Sequence, residues 1–236
     1  MRLRVIDFET TGFEPPEAEV VEVGITDLIL DQDGSSVSET TSVLCGAERP
    51  CPPAVRAVHH IQPHELEGRP VFMPEIMVAS LSQAEAWVAH NCAFEQKFLP
   101  AIVTGPVPWI CTYKVAVRLF PDLASHSNFA LYYHFVDEGL IEADMERAQP
   151  AHRAGPDTYV TARNLQVMLE MATIEQMIEW TKMPRLISVL QFGKHKGMKL
   201  AEVPYDYLSW LAFKSDMDED TKWNARQEID RRSHRQ

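Results

Sequence analysis

Arg2-Leu-Arg-Val-Ile-Asp7-Phe-Glu9-Thr-Thr-Gly12 opens the chain. Leu3, Val5 and Ile6 are apolar and partly β-branched, as a central strand requires, and Gly12 lets the backbone turn away afterwards. Side chains alternate along a strand, so Asp7 and Glu9 point to one face at its end. A lone Asp-x-Glu pair is ordinarily solvated surface. It becomes a divalent-metal site when other segments add carboxylates, since two ions about 4 Å apart need three or four of them.

Two later stretches supply such groups. His90-Asn-Cys-Ala-Phe-Glu95 follows a short apolar strand over 86–90 and puts Glu95 in the first turns of a helix, with Asn91 as its N-cap. His152-Arg-Ala-Gly-Pro-Asp157 places an imidazole just before a helix and a carboxylate in its first turn, where Pro156 is tolerated. A third stretch, Val58-His-His-Ile61, reads as an exposed polar and apolar patch suited to a base and sugar.

The composition bounds what these residues can belong to. The 236 residues are 45% hydrophobic, enough for one substantial domain or for one of about 180 residues with a small appendage. No apolar run approaches the roughly 18 residues of a membrane span, and the N-terminus lacks a signal-peptide pattern, so a cytoplasmic chain with no membrane partner is expected. The four cysteines form no Cys-x-x-Cys pair and read as buried free thiols. The net charge of −12 by itself disfavours a nucleic-acid partner, but the charge is unevenly spread. Residues 183–236 hold ten Lys or Arg against eight Asp or Glu, while the first 182 hold twelve against twenty-six. An acidic body over 1–182 and a more basic unit over 183–236 follow.

Extended runs over 20–30 and 36–44, joined by the turn residues at 31–35, predict an antiparallel meander after the first strand. Short helices are expected over 55–60 and from Pro63, and an amphipathic helix over 73–84. A strand over 109–112, helices over 114–120 and 128–135, and the strongest helical pattern over 157–172 come next. A separate short helix begins at Thr173. Alternation of strands and helices after a meander indicates an α/β fold with a mixed sheet flanked by helices. Past Met183-Pro184, the small C-terminal α+β unit is read as a hairpin over 188–200, turning at Gly193-Lys-His-Lys-Gly197. Two helices follow, over 205–213 and 221–232, with Tyr207, Trp210 and Leu211 directed inward.

Asp7-Phe-Glu9-Thr-Thr-Gly12, Asn91-Cys-Ala-Phe94-Glu95 and His152-Arg-Ala-Gly-Pro-Asp157 resemble, in the usual order, the three motifs of the DnaQ-like DEDDh 3′–5′ exonucleases. Trp109-Ile-Cys-Thr-Tyr-Lys and Phe192-Gly-Lys-His-Lys-Gly further resemble the exonuclease X branch, so the likeness covers nearly the whole chain. The resemblance implies a ribonuclease H-like fold with a five-stranded mixed sheet. It implies a 3′–5′ exodeoxyribonuclease that releases 5′-mononucleotides from single-stranded or duplex DNA 3′ ends, with RNA trimming by the same chemistry as the alternative. A weakly active binding or proofreading module is a third reading, which the intact Asp7, Glu9, His152 and Asp157 disfavour.

By the same resemblance Asp7, Glu9 and Asp157 ligate two Mg2+ or Mn2+ ions, with Asp7 shared between them, and Glu95 is the fourth carboxylate. His152 is the general base for the attacking water, a task suited to imidazole, which ordinarily titrates at about 6.5. Glu95 departs from the family motif, which ends in Asp; its extra methylene alters how that carboxylate reaches the site. Thr10, Val58, His59, Ile61, Asn91 and Phe94 are placed around the terminal nucleotide, and a homodimer is implied on no other ground. In the C-terminal unit, Lys194, Lys196 and Lys199 cluster about a Gly-flanked turn fit for DNA-backbone contacts. Tyr207, Trp210, Phe213 and Trp223 are read as core.

Overall fold

The computed structural model describes residues 1–75, 84–99 and 101–234. The opening stretch is strand β1 (Arg2–Thr10), central in a mixed sheet. Strand β2 (Val20–Asp31) runs antiparallel to it, and the short β3 (Gly34–Val37) and β4 (Thr41–Leu44) pair in succession along the outer edge of β2. On the other side β5 (Ala86–Ala89) and β6 (Trp109–Cys111) continue the sheet in parallel. Six strands among the described residues thus occupy five positions, because β3 and β4 share one edge.

The helices are α1 (Pro53–His59), α2 (Pro63–Leu66), α3 (Glu95–Phe98), α4 (Ala101–Thr104), α5 (Thr112–Leu119) and α6 (Asn128–Asp137), followed by α7 (Met145–Ala148), α8 (Ala154–Leu169) and α9 (Ile174–Lys182). In the C-terminal region lie α10 (Tyr205–Phe213) and α11 (Glu219–Ser233). No helix among the described residues is long and apolar enough to cross a membrane. Most of the amphipathic helix expected over 73–84 lies outside the described residues.

Alternation along β1 divides the core. Leu3 and Val5 pack with Leu28, Val88, Ile110 and the buried face of α8, including Leu165 and Met168. Ile6 and Phe8 pack on the opposite face with Val20, Val23, Trp87 and Phe98. The α8 face of β1 therefore begins apolar and, by the same period of two, ends in Asp7 and Glu9. Gly24, paired opposite Asp7, lets α8 approach: a Cβ there would lie 2.0 Å from the Ala154 carbonyl oxygen. That contact is backbone, so no side-chain adjustment relieves it.

Helix α8 starts at Ala154, three residues earlier than the apolar periodicity indicated, because its first turn is held from outside the helix. The expected 188–200 hairpin narrows to a single antiparallel bridge, Val189 with Lys199. A separate apolar cluster forms behind it from Leu190, Leu200, Val203, Leu208, Leu211, Ala212, Ala225 and Ile229. Trp210 and Phe213 are 42% and 67% exposed, so the reading of them as core is overturned; Leu208, Leu211 and Ala212 form the inward stripe of α10 instead. Tyr207 and Trp223 are half-buried. All four cysteines are free, and Cys45, Cys92 and Cys111 are buried as expected, with Cys51 half-buried.

Candidate active site

Three carboxylates converge at the end of β1. Asp7, Glu9 and Asp157 each bring an oxygen within 4.8 Å of the others, and all three remain partly accessible. β1 supplies the first two through its alternation, and the first turn of α8 supplies the third by lying across Gly24. A register shift between Glu9 and Thr10 bends the strand just beyond the cluster.

Glu95 begins α3 and stands outside this trio. It is buried, and its Oε2 has no hydrogen-bond partner, which is a costly state for an acceptor in a folded interior. Asn91 is not the N-cap of that helix: residues 91–94 form a turn, and Asn91 takes a left-handed φ of 73°, a region Asn tolerates better than most residues.

Electrostatics fit an assembly built for cations. Burial first, then the charges of Asp157, Glu95 and Glu9, lift the Asp7 pKa well above the usual carboxylate range. Burial, with Asp157 and Glu22, pushes Glu9 up to about 8 against the pull of Arg153. Asp157 is lifted to about 7 by burial and Glu22, although the His152 N–H donates to its Oδ1 at 3.2 Å. Glu95 is lifted well above its ordinary value by burial, opposed by its own backbone amide and reinforced by Cys111 and Glu9. Hard oxygen donors that repel one another, with one oxygen unpartnered, match what a divalent ion such as magnesium or manganese would neutralise.

His152 is exposed, with a left-handed φ of 60°. Non-glycine residues in that region cost on the order of 1–3 kcal/mol and persist only where neighbours hold them. The holder is a buried carboxylate outside the three motifs. Glu22, 1% exposed on β2 directly opposite Glu9, accepts from Arg153 Nε and Nη2, each at 2.8 Å, from Ser42 Oγ at 2.6 Å, and from the Ala154 amide at 3.1 Å. Burial alone would raise its pKa, but the bonds from Arg153, Ser42 and Ala154 outweigh burial and hold it below the ordinary value. Arg153 and Ala154 immediately follow His152, so Glu22 anchors the turn that presents both His152 and Asp157. The one signal for it in the sequence is a charged residue inside the apolar run Val20-Val-Glu22-Val-Gly24.

Of the residues expected around a terminal nucleotide, Asn91 is exposed, Phe94 half-buried, and Val58 47% exposed. Thr10 is buried, with its hydroxyl donating to the Gly12 carbonyl at 2.5 Å. The stretch 58–61 is not the exposed patch its composition suggested. His59 and Ile61 are 2% and 1% exposed, because the His59 ring turns inward, its Nδ1 accepting from the Ile61 amide at 3.0 Å and its Nε2 lying 3.5 Å from Cys51 Sγ. Lys194, Lys196 and Lys199 are exposed and form no part of the carboxylate cluster.

The exonuclease family model RNase_T matches residues 5–165, a span that contains Asp7, Glu9, Glu22, Glu95, His152 and Asp157. The chain is also 33% identical to exodeoxyribonuclease 10 of Escherichia coli strain K12 over 214 residues, 89% of this chain and 90% of that protein. The chain belongs to the DnaQ-like 3′–5′ exonucleases. The solved structure of exonuclease X in complex with 5′-overhanging duplex DNA superposes on this exonuclease with a TM-score of 0.60 at 30% identity, covering 76% of this chain and 99% of that one. The DNA polymerase III subunit epsilon of Treponema pallidum is 28% identical over 174 residues, 69% of this chain and 74% of its own length. Sheet order and flanking helices of this exonuclease are those of the ribonuclease H-like fold. The family generally uses divalent metal ions, and the carboxylate trio is where such ions fit in this member.

Proposed function

We propose that the protein is a 3′–5′ exodeoxyribonuclease that uses two magnesium or manganese ions and releases 5′-mononucleotides from DNA ends. The observation that carries this reading is the convergence of Asp7, Glu9 and Asp157 within 4.8 Å at the end of β1, with Glu95 Oε2 buried beside them and unpartnered. DNA as the substrate class is supported by exodeoxyribonuclease 10 at 33% identity and by the DNA-bound state of exonuclease X.

Asp7, Glu9 and Asp157 would hold the ions, and Glu95 would complete the acidic wall. Bound there, divalent ions supply Lewis-acid polarisation of the scissile phosphate and neutralise charge as the 3′ oxygen departs. The chain's own contribution is placement. His152, exposed beside Asp157 and carried on a turn anchored by Glu22 and Arg153, takes the proton of the attacking water as general base. Asn91, Phe94 and Val58, which reach solvent, would border the terminal nucleotide, with the buried His59, Ile61 and Thr10 holding the surrounding backbone.

The same reading divides the chain at Met183-Pro184 into an exonuclease domain over 1–182 and a C-terminal unit over 183–236, the latter with its own apolar cluster. The junction is tied down by Lys114 Nζ and Arg118 Nη2, which donate to the Met183 and Pro184 carbonyls at 2.8 and 2.7 Å.

The test is digestion of 5′-labelled single-stranded DNA, duplex DNA and RNA with magnesium, by the wild type and by His152→Ala. Ladders shortening from the 3′ end of DNA, lost with EDTA and slowed by about 10²- to 10⁴-fold in the variant, are expected. Intact DNA at every enzyme concentration would sink the proposal, and faster loss of RNA would replace DNA by RNA as the substrate.

A further inference from the structure

The C-terminal unit turns an aromatic row toward solvent, beside the lysine turn. On α10, Trp210 and Phe213 stand three residues apart on the side opposite the buried Leu208, Leu211 and Ala212, and Tyr205 is 56% exposed at the helix start. Tyr207 joins the row, with its ring centroid 5.4 Å from that of Trp210. The turn 193–197 lies against Tyr207: the His195 ring meets it edge-on at 4.7 Å, and a Cβ on Gly193 would lie 2.3 Å from the Tyr207 hydroxyl. Gly193, at φ 68°, is thus required twice, by its conformation and by the closeness of the ring. The turn holds Lys194 and Lys196 exposed next to the row, and Lys199 follows.

We propose that this surface binds a single-stranded segment of DNA, with Trp210 and Phe213 stacking on bases and Lys194, Lys196 and Lys199 contacting phosphates. The inference rests on the reading of DNA as substrate and adds a second contact region, outside the carboxylate trio. Three arguments favour this occupant. Large aromatics left in solvent are costly without a partner, and a row of rings is the sequence-independent platform on which bases stack. The charge beside the rings is positive, in a chain whose net charge is −12, so it complements a polyanion where the body of the protein repels one. Asp206 shares the helix, in its first turn.

Position gives the third argument. Lys199 Nζ pairs with Asp122 Oδ1 at 3.6 Å, and the segment from Asp122 leads to Asn128, whose side-chain amide donates to the Asp157 carbonyl at 3.0 Å. Lys199 therefore pairs with the segment that leads into α6, the helix whose first residue bonds the Asp157 backbone.

The experiment measures binding of the full chain to fluorescent single-stranded oligodeoxynucleotides in EDTA, where no hydrolysis intervenes. Affinity for a 20-mer is expected to fall about tenfold in Trp210→Ala and further in Trp210→Ala/Phe213→Ala, with Trp210→Phe close to wild type, since a phenyl ring still stacks. Replacing Lys194, Lys196 and Lys199 by Ala is expected to flatten the dependence of log Kd on log salt by about 2. Wild-type affinity in the double variant, with a circular-dichroism spectrum and Tm matching wild type, would overturn the proposal. So would a wild-type dimer, by sedimentation, that the double variant converts to monomer, because a second copy would then cover the patch. Failure of the substrate reading shows separately, as undegraded DNA in magnesium.

Discussion

Glu9 and Glu22 face each other across β1 and β2, yet the protein treats their carboxylates in opposite ways. Glu22 receives four hydrogen bonds, two of them from the Arg153 guanidinium, and is held ionised below its ordinary pKa. Glu9 shares its surroundings with Asp7 and Asp157, has burial and like charge working against ionisation, and is pushed up to about 8. A satisfied carboxylate serves the fold; a carboxylate crowded by its own kind is one that a cation would neutralise. The two sites are coupled as well as contrasted, since the turn that Glu22 fastens is the turn that delivers Asp157.

The comparison is most sharply broken by exchanging charges for their isosteres. Asp7→Asn is expected to reduce 3′–5′ exonuclease activity by about 10³-fold or more, the loss of several kcal/mol of cation-dependent stabilisation. At the same time it is expected to raise the Tm of the metal-free protein, because one repelling charge disappears. If its Tm falls instead, the cluster is not a site of stored repulsion.

Next in size is Glu95. Glu95→Ala is expected to slow DNA digestion by about 10- to 100-fold, whereas Glu95→Asp, which restores the usual family residue, keeps wild-type rate within about tenfold. Digestion by Glu95→Ala at the wild-type rate would remove Glu95 from the site.

Glu22→Gln is expected to act with the opposite sign to Asp7→Asn on stability. Losing the charge opposite Arg153 costs about 1–3 kcal/mol, read as a lowered denaturant midpoint, together with a rate loss of about tenfold from a loosened His152 turn. A neutral effect on both would deny Glu22 its anchoring role.

A pH trend extends the contrast. The folded pKa values of Glu9 and Asp157, about 8 and about 7, lie above the unfolded carboxylate range near about 4. Between those limits the folded, metal-free chain binds more protons than the unfolded chain, so its stability declines as pH rises from about 4 to about 8. Thermal melts in EDTA at pH 5, 6.5 and 8 are expected to show descending Tm, with magnesium raising Tm most at pH 8. A Tm that climbs through this window in EDTA would contradict the raised pKa values. Glu22, with its lowered pKa, contributes stability that is lost only as pH falls through the acid range.

Much of this was legible in the chain itself. Period-two alternation in Arg2–Thr10 put Asp7 and Glu9 on one face, and helix-start chemistry put Glu95 and Asp157 at the first turns of α3 and α8, because both patterns follow from local backbone geometry. The order of the three motifs then identified the family. Local pattern failed where a side chain's environment is set by distant segments. His59 and Ile61 have the composition of a surface patch but are buried by α1's turn against Cys51, and Trp210 and Phe213 have the composition of a core but face solvent.

Sequence alone determined on which elements, and on which face of β1, these carboxylates lie, since that depends on residue type and short-range spacing. Tertiary structure alone decided which carboxylate is spent on the fold and which is left for a cation. Glu22 and Glu9 are both acids at strand positions, and only the approach of Arg153 and Ala154 across Gly24 satisfies one and leaves the other unneutralised.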